Sequence, residues 1–125
     1  MAREIETKCI HLEEEENSIN HYGAISYPIY QSATYAHPGV GQSTGYDYSR
    51  LQNPTREHLE KTVASLENGI DALAFSSGMA AITLMMELFK PGDHLIADAD
   101  LYGGSIRLFN HVSEKNGIEF SSVDC

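Results

Sequence analysis

The chain is 125 residues long, the size of one ordinary domain, and its 42% hydrophobic and 21% charged residues suit a packed core and exclude wholesale disorder. Eight Lys and Arg stand against 18 Asp and Glu; the formal net charge of -10 argues against the phosphate attraction on which nucleic-acid binders rely. The longest apolar stretch, "AAITLMMELF", falls well short of the roughly 20 residues that span a bilayer and is broken by Glu87.

In chain order, "HLEEEENSIN" is an acidic, polar stretch whose glutamate run reads as a solvated surface. "YGAISYPIYQSATYAHPGVGQSTG" is rich in Gly, Pro, Ser and Tyr and has no helical period, so residues 1–52 read as an extended N-terminal arm. The five tyrosines from Tyr22 to Tyr46 favour docking on protein over free solvation, because disordered segments are poor in aromatics. The texture changes at Asn53. Pro54 suits a first helical position, Glu57 the first turn, and Leu59, Val63 and Leu66 share one face, which predicts a helix over 53–68 closed by a left-handed Asn68-Gly69 cap. "DALAFSS" has strand length, "GMAAITLMMELFK" is a helix apolar on most sides and expected to be well buried, and the Pro91-Gly92 turn stops it. "DHLIADA" is a second strand, "SIRLFNHVSEKNG" a third helix ending at Gly117, and "IEFSSV" a third strand. Strands alternating with helices predict an α/β fold with a parallel sheet, and residues 53–125 form an incomplete α/β domain: three strands bury little apolar surface, so the sequence reads as truncated.

Two strand-to-helix junctions could hold an anion at helix amino termini. In "FSSGMAA", Ser76, Ser77 and the side-chain-free Gly78 either let a phosphate approach successive N–H groups or simply permit a tight turn; no Walker lysine follows. In "DADLYGGSIR", Tyr102 could cover a flat ligand and Arg107 could reach a carboxylate, against the plainer readings of a packed tyrosine and a surface ion pair. The histidines lack metal-ligand spacings and no hydrolase elbow occurs, so neither a metal site nor a triad is expected. Cys9 and Cys125 form no CxxC, and no leader pattern is seen, which fits a reducing cytoplasm.

"YSRLQNPTR", "FSSGMAAI" and "LYGGSIRLF", in this order and spacing, resemble the amino-terminal part of the Cys/Met metabolism family of pyridoxal-phosphate enzymes. The resemblance runs from "GAISYPIYQSATY" to the end and implies a fold-type I transferase-like domain in a homo-oligomer, a homotetramer, with active sites shared between subunits. It implies that Tyr48 and Arg50 hold the cofactor phosphate in a neighbouring subunit. Gly78 and Met79 would donate backbone N–H groups to the phosphate in their own subunit. Tyr102 would stack on the pyridine ring and assist proton traffic as the catalytic residue, and Arg107 would face the distal end of an amino-acid substrate. The family's Schiff-base lysine has no counterpart at Lys8, Lys61, Lys90 or Lys115, so the 125 residues alone are expected to be inactive. The implied activity of the parent is cystathionine gamma-synthase-like: gamma-replacement on an O-acylhomoserine by cysteine, in methionine biosynthesis. Cystathionine gamma- or beta-lyase, O-acylhomoserine sulfhydrylase, methionine gamma-lyase and a non-catalytic truncated product are the alternatives. Gly104 stands where typical methionine gamma-lyases carry cysteine.

Overall fold

The computed structural model describes residues 4–10 and 24–125; the acidic run 13–16 and Tyr22 lie outside the described residues. The chain divides into two compact units, Met1–Ala74 and Phe75–Cys125.

In the first unit, a short helix α1 (Ile5–Lys8) lies against α2 (Pro54–Leu66). The predicted start of α2 is realised: Asn53 has extended backbone angles, its side-chain oxygen accepts the Thr55 N–H at 2.9 Å, and Pro54 occupies the first turn, where a missing N–H costs nothing. At the other end, Asn68 takes a left-handed φ of 54° while the Gly69 N–H returns to the Ala64 carbonyl at 2.8 Å. Ala64, on the inner face, is buried.

The arm doubles back on itself. Thr34 and Tyr48 form an isolated antiparallel bridge, the Ser49 N–H donates to Ala33 O at 2.9 Å, and the Ser49 hydroxyl donates to the Ser32 carbonyl. Its folded path is then tied to the start of α2. The Asn53 amide nitrogen lies 3.1 Å from Tyr30 O, 3.1 Å from the Tyr35 hydroxyl and 3.0 Å from Ser49 Oγ. Thr55 Oγ1 accepts the Tyr30 N–H at 2.8 Å and donates to Pro28 O at 3.2 Å. One turn on, the Tyr27 ring stacks on His58 with centroids 3.9 Å apart.

Tyr46 is anchored in the same way, its hydroxyl donating to the Glu57 carboxylate. Burial, and then that bond to Glu57, push the Tyr46 phenol well above its ordinary value. Glu57 is held below the usual carboxylate range, first by Lys61 at 2.5 Å and then by Tyr46.

The second unit has β1 (His94–Asp98) paired in parallel with β2 (Glu119–Val123), in register from His94 opposite Glu119 to Asp98 opposite Val123. The crossover is α4 (Gly103–Leu108), which widens into a π-helical turn over Phe109–Ser113 and tightens into a 3-10 turn over Glu114–Asn116. The crossover therefore begins two residues before the expected helix and changes pitch twice, but it stops where predicted. Gly117 has a φ of 77°, and a Cβ there would come within 3.1 Å of Pro91 Cβ, so glycine serves both the turn and the close approach. Phe109 and Ile118 form the core of this unit, and Phe109 packs on Phe120 at 5.2 Å between ring centroids.

Two expectations are corrected. "DALAFSS" shows alternating exposure over 71–75, but it is not a strand. A strand needs a ladder, and no described segment runs beside it; the Ala74 N–H donates instead to Glu60 Oε1 at 2.9 Å. The helix α3 (Gly78–Met86) is shorter than predicted and none of its residues is buried; Met85 is 60% exposed. A helix buries only the faces that meet neighbours, and within its unit α3 meets α4.

Asn53 both caps α2 and gathers the arm, and two substitutions separate these roles. Asn53→Ala should cost about 2 kcal/mol by urea denaturation. Asn53→Asp keeps the cap but turns the donor into an acceptor facing Tyr30 O, so it should cost nearly as much; a neutral Asp would show that the cap alone matters. The Glu57 contacts carry a pH signature. A carboxylate depressed by folding contributes stability that is complete above its ordinary value of about 4.3 and fades as pH falls through the folded value. The stability difference between the native chain and Glu57→Gln should therefore shrink steadily below about pH 4. A difference that stays constant into acid would contradict the depressed carboxylate.

Candidate functional site

Of the site residues expected from the sequence, Tyr48 and Arg50 lie together in the first unit, Gly78, Met79 and Tyr102 gather in the second, and Arg107 stands apart on α4. In the first, the turn that follows the Thr34–Tyr48 bridge carries Tyr48 and Arg50. Leu51 and Gln52 N–H groups both donate to Tyr48 O at 2.9 Å, closing the turn. The Arg50 guanidinium lies over the Tyr48 ring, 5.2 Å from its centroid, and makes no ion pair among the described residues. Both side chains are exposed. An uncommitted guanidinium beside a phenol hydroxyl is a donor set suited to an anion with several oxygens.

In the second unit, Ser77 is the N-cap of α3, with its hydroxyl accepting the Ala80 N–H at 3.1 Å. The Gly78 and Met79 N–H groups, which open the helix, find no acceptor among the described residues. Gly78 has no positive φ, and a Cβ added to it would meet nothing within 4 Å. Neither a left-handed backbone nor local crowding calls for glycine there, and the helix start presents two N–H donors that have no acceptor among the described residues. Two such donors at a positive helix end could hold an oxygen-rich anion such as a phosphate.

Tyr102 precedes α4, and its carbonyl accepts the Ser105 N–H at 2.8 Å. Its ring is 72% exposed and folds over Gly104, where a Cβ would lie 2.5 Å from Tyr102 Cε1 and 3.1 Å from Met79 Sδ. Ser105, buried on the same helix, has its hydroxyl 3.9 Å from that sulfur. Met79, Tyr102, Gly104 and Ser105 thus form one cluster, to which Met79 contributes its thioether. Any side chain at position 104 displaces the Tyr102 ring. Arg107 is exposed on α4 and has no ion-pair partner among the described residues.

Sequence reasoning missed the residues that hold Tyr48 and Arg50 in place. It read Asn53 and Pro54 as a helix start, whereas Asn53, Thr55 and Arg56 also bind the arm. The available signal was the density of polar groups in "NPTR", more than a cap requires.

The profile of the Cys/Met metabolism PLP-dependent enzymes matches residues 6–125. A cystathionine gamma-synthase/O-acetylhomoserine (thiol)-lyase of Bacillus subtilis is 48% identical over all of this chain and 34% of its own length. A cystathionine gamma-lyase from the same organism is 54% identical over 82% of this chain and 27% of its own. Among solved structures, metB from Corynebacterium glutamicum superposes with a TM-score of 0.88 at 41% identity, covering 98% of this chain and 32% of that one. Cystathionine gamma synthase from Xanthomonas oryzae, in complex with aminoacrylate and cysteine, gives 0.86 at 34% identity over 99% of this chain and 32% of that one. The chain spans about a third of the length of the relatives it matches. With its fold that of the fold-type I enzymes and its cofactor pyridoxal phosphate, the chain belongs to the Cys/Met metabolism family of PLP-dependent enzymes.

Proposed function

We propose that these residues supply the phosphate grip and the ring platform of a trans-sulfuration enzyme that replaces the acyl group of an O-acylhomoserine with cysteine. The observation that carries the grip is that the Gly78 and Met79 N–H groups have no acceptor among the described residues, with open space where a Gly78 Cβ would sit. The synthase branch is supported by relatives named cystathionine gamma-synthase at 48% and 46% identity. A lyase of the same family is the second reading, supported by the 54% identity to a cystathionine gamma-lyase.

When bound, pyridoxal phosphate supplies an electron sink for carbanion chemistry beside its ring. In this reading Gly78 and Met79 donate N–H bonds to its phosphate, and Tyr48 and Arg50 add a hydroxyl and a planar cationic fork. These contacts matter in a chain with a net charge of -10, because the anion needs a local positive field against the general one. Tyr102 offers an aromatic face to the ring and its hydroxyl moves a proton at the substrate. Arg107 receives the distal end of the amino-acid substrate. In the same reading Lys8, Lys61, Lys90 and Lys115 do not match the family's lysine motif, and the 125 residues alone would be inactive. The setting is a soluble, cytoplasmic homo-oligomer in which Tyr48 and Arg50 serve the neighbouring subunit; no helix among the described residues is long and apolar enough to cross a membrane.

Gly78→Ala separates cofactor binding from folding. With open space and no positive φ, the variant should fold with unchanged or slightly raised stability. In the complete holoenzyme its affinity for pyridoxal phosphate, titrated by absorbance, should fall about tenfold, the equivalent of one lost hydrogen bond of about 1.4 kcal/mol. Unchanged affinity would sink the grip. Sharing between subunits is tested by mixing an Arg50→Ala form with a form lacking the attachment lysine. Hybrid oligomers should regain activity, and complete failure to do so would place Arg50 in the site of its own subunit.

A further inference from the structure

Arg56 holds an unusual position for a charged residue in the first turns of a helix. Its Nη1 donates to Ser49 O at 3.1 Å and its Nη2 to Leu51 O at 2.6 Å. Those two carbonyls belong to the residues on either side of Arg50. The same guanidinium keeps its Nε 3.6 Å from Glu60 Oε1, an i,i+4 pair in which the Arg56 side chain is 33% exposed and the Glu60 side chain 16%. Glu60 is fixed in turn by the Ala74 N–H at 2.9 Å. Two arginines six residues apart are thus in opposite states: Arg56 has its donors spent on backbone and carboxylate, while Arg50 keeps its fork uncommitted above Tyr48.

We propose that Arg56 is a positioning residue that braces the Tyr48–Leu51 turn through the carbonyls flanking Arg50, so that Tyr48 and Arg50 are already oriented when an anionic phosphate arrives. The inference rests on the phosphate role given above to Tyr48 and Arg50. The bracing depends on the shape of the guanidinium. Two N–H groups of one planar fork reach two carbonyls 2 residues apart while Nε lies 3.6 Å from a carboxylate oxygen; an ammonium on a flexible stem has the charge but not the fork. Without the brace the turn keeps its two backbone bonds to Tyr48 O but samples more orientations, and the phosphate contacts must then order it on binding.

The test is a double-mutant cycle in the complete enzyme, reading the dissociation constant of pyridoxal phosphate by titration of the apo form and the unfolding midpoint in parallel. Arg50→Ala should weaken binding strongly. Arg56→Lys should weaken it about tenfold in the native background and far less once Arg50 is already Ala, because the brace then has little left to orient. Loss of stability with an unchanged dissociation constant would reduce Arg56 to a structural role and overturn the proposal, as would equal losses of affinity in both backgrounds. If Arg50→Ala itself leaves the constant unchanged, the phosphate role of Arg50 fails first and the brace falls with it. Should Arg56→Lys not fold, Glu60→Gln serves instead. It keeps an acceptor for the Ala74 N–H and removes only the charge facing Arg56, so a smaller loss of affinity, again confined to the background with Arg50, is expected; no loss overturns the proposal.

Discussion

The first unit depends on one side chain, the Asn53 amide. Its oxygen caps α2 and its nitrogen faces Tyr30 O, the Tyr35 hydroxyl and Ser49 Oγ, so the helix begins at the point where the arm is gathered. A segment rich in Gly and Ser loses much conformational entropy when it is ordered, and a core of few buried side chains does little to offset that loss. Hydrogen bonds from a rigid helix terminus to the backbone of the arm do this work locally. Thr55 and Arg56 extend the same principle by one residue each, and the turn bearing Tyr48 and Arg50 is fixed as a consequence.

The second unit solves a different problem. There the backbone N–H groups that open α3 have no acceptor among the described residues, because the first turn of a helix offers none within itself. The Tyr102 ring can lie where it does because position 104 has no side chain. One cluster is held by many directed bonds and the other is kept clear by missing atoms. Both arrangements leave polar donors exposed to a ligand and stabilise the scaffold around them.

Local signals carried much of this into the sequence. The Asn53-Pro54 start, the Asn68 cap, the β1–α4–β2 crossover and the stop at Gly117 follow from caps, periodicity and turn chemistry, which act over a few residues. Where a feature depended on distant partners, the sequence was silent or misleading. The stretch 71–77 has the composition of a strand, yet pairing is a property of two segments, and its Ala74 amide goes to a helix carboxylate. The apolar α3 pointed to a buried helix, but burial is decided by neighbours. Tyr46 had no reading until Glu57 appeared beside its hydroxyl, 11 residues away. The motif residues Tyr48, Arg50, Gly78, Met79, Tyr102 and Arg107 are singled out by family resemblance alone. Their support, above all Arg56 and Glu60, is not, because a brace is defined by geometry that short motifs do not encode.

The glycine at position 78 carries a wider consequence. An alanine in the first turn of α3 would suit the helix better and meets no steric objection, so at this position the protein forgoes a fraction of the roughly 1 kcal/mol that separates the two residues in helices. Under the proposed phosphate role, stability and ligand binding compete over a single methyl group. An engineering effort that scores only folding would select the substitution and, on that proposal, weaken the cofactor site, which makes position 78 a compact place to observe the trade-off between a robust scaffold and a working one.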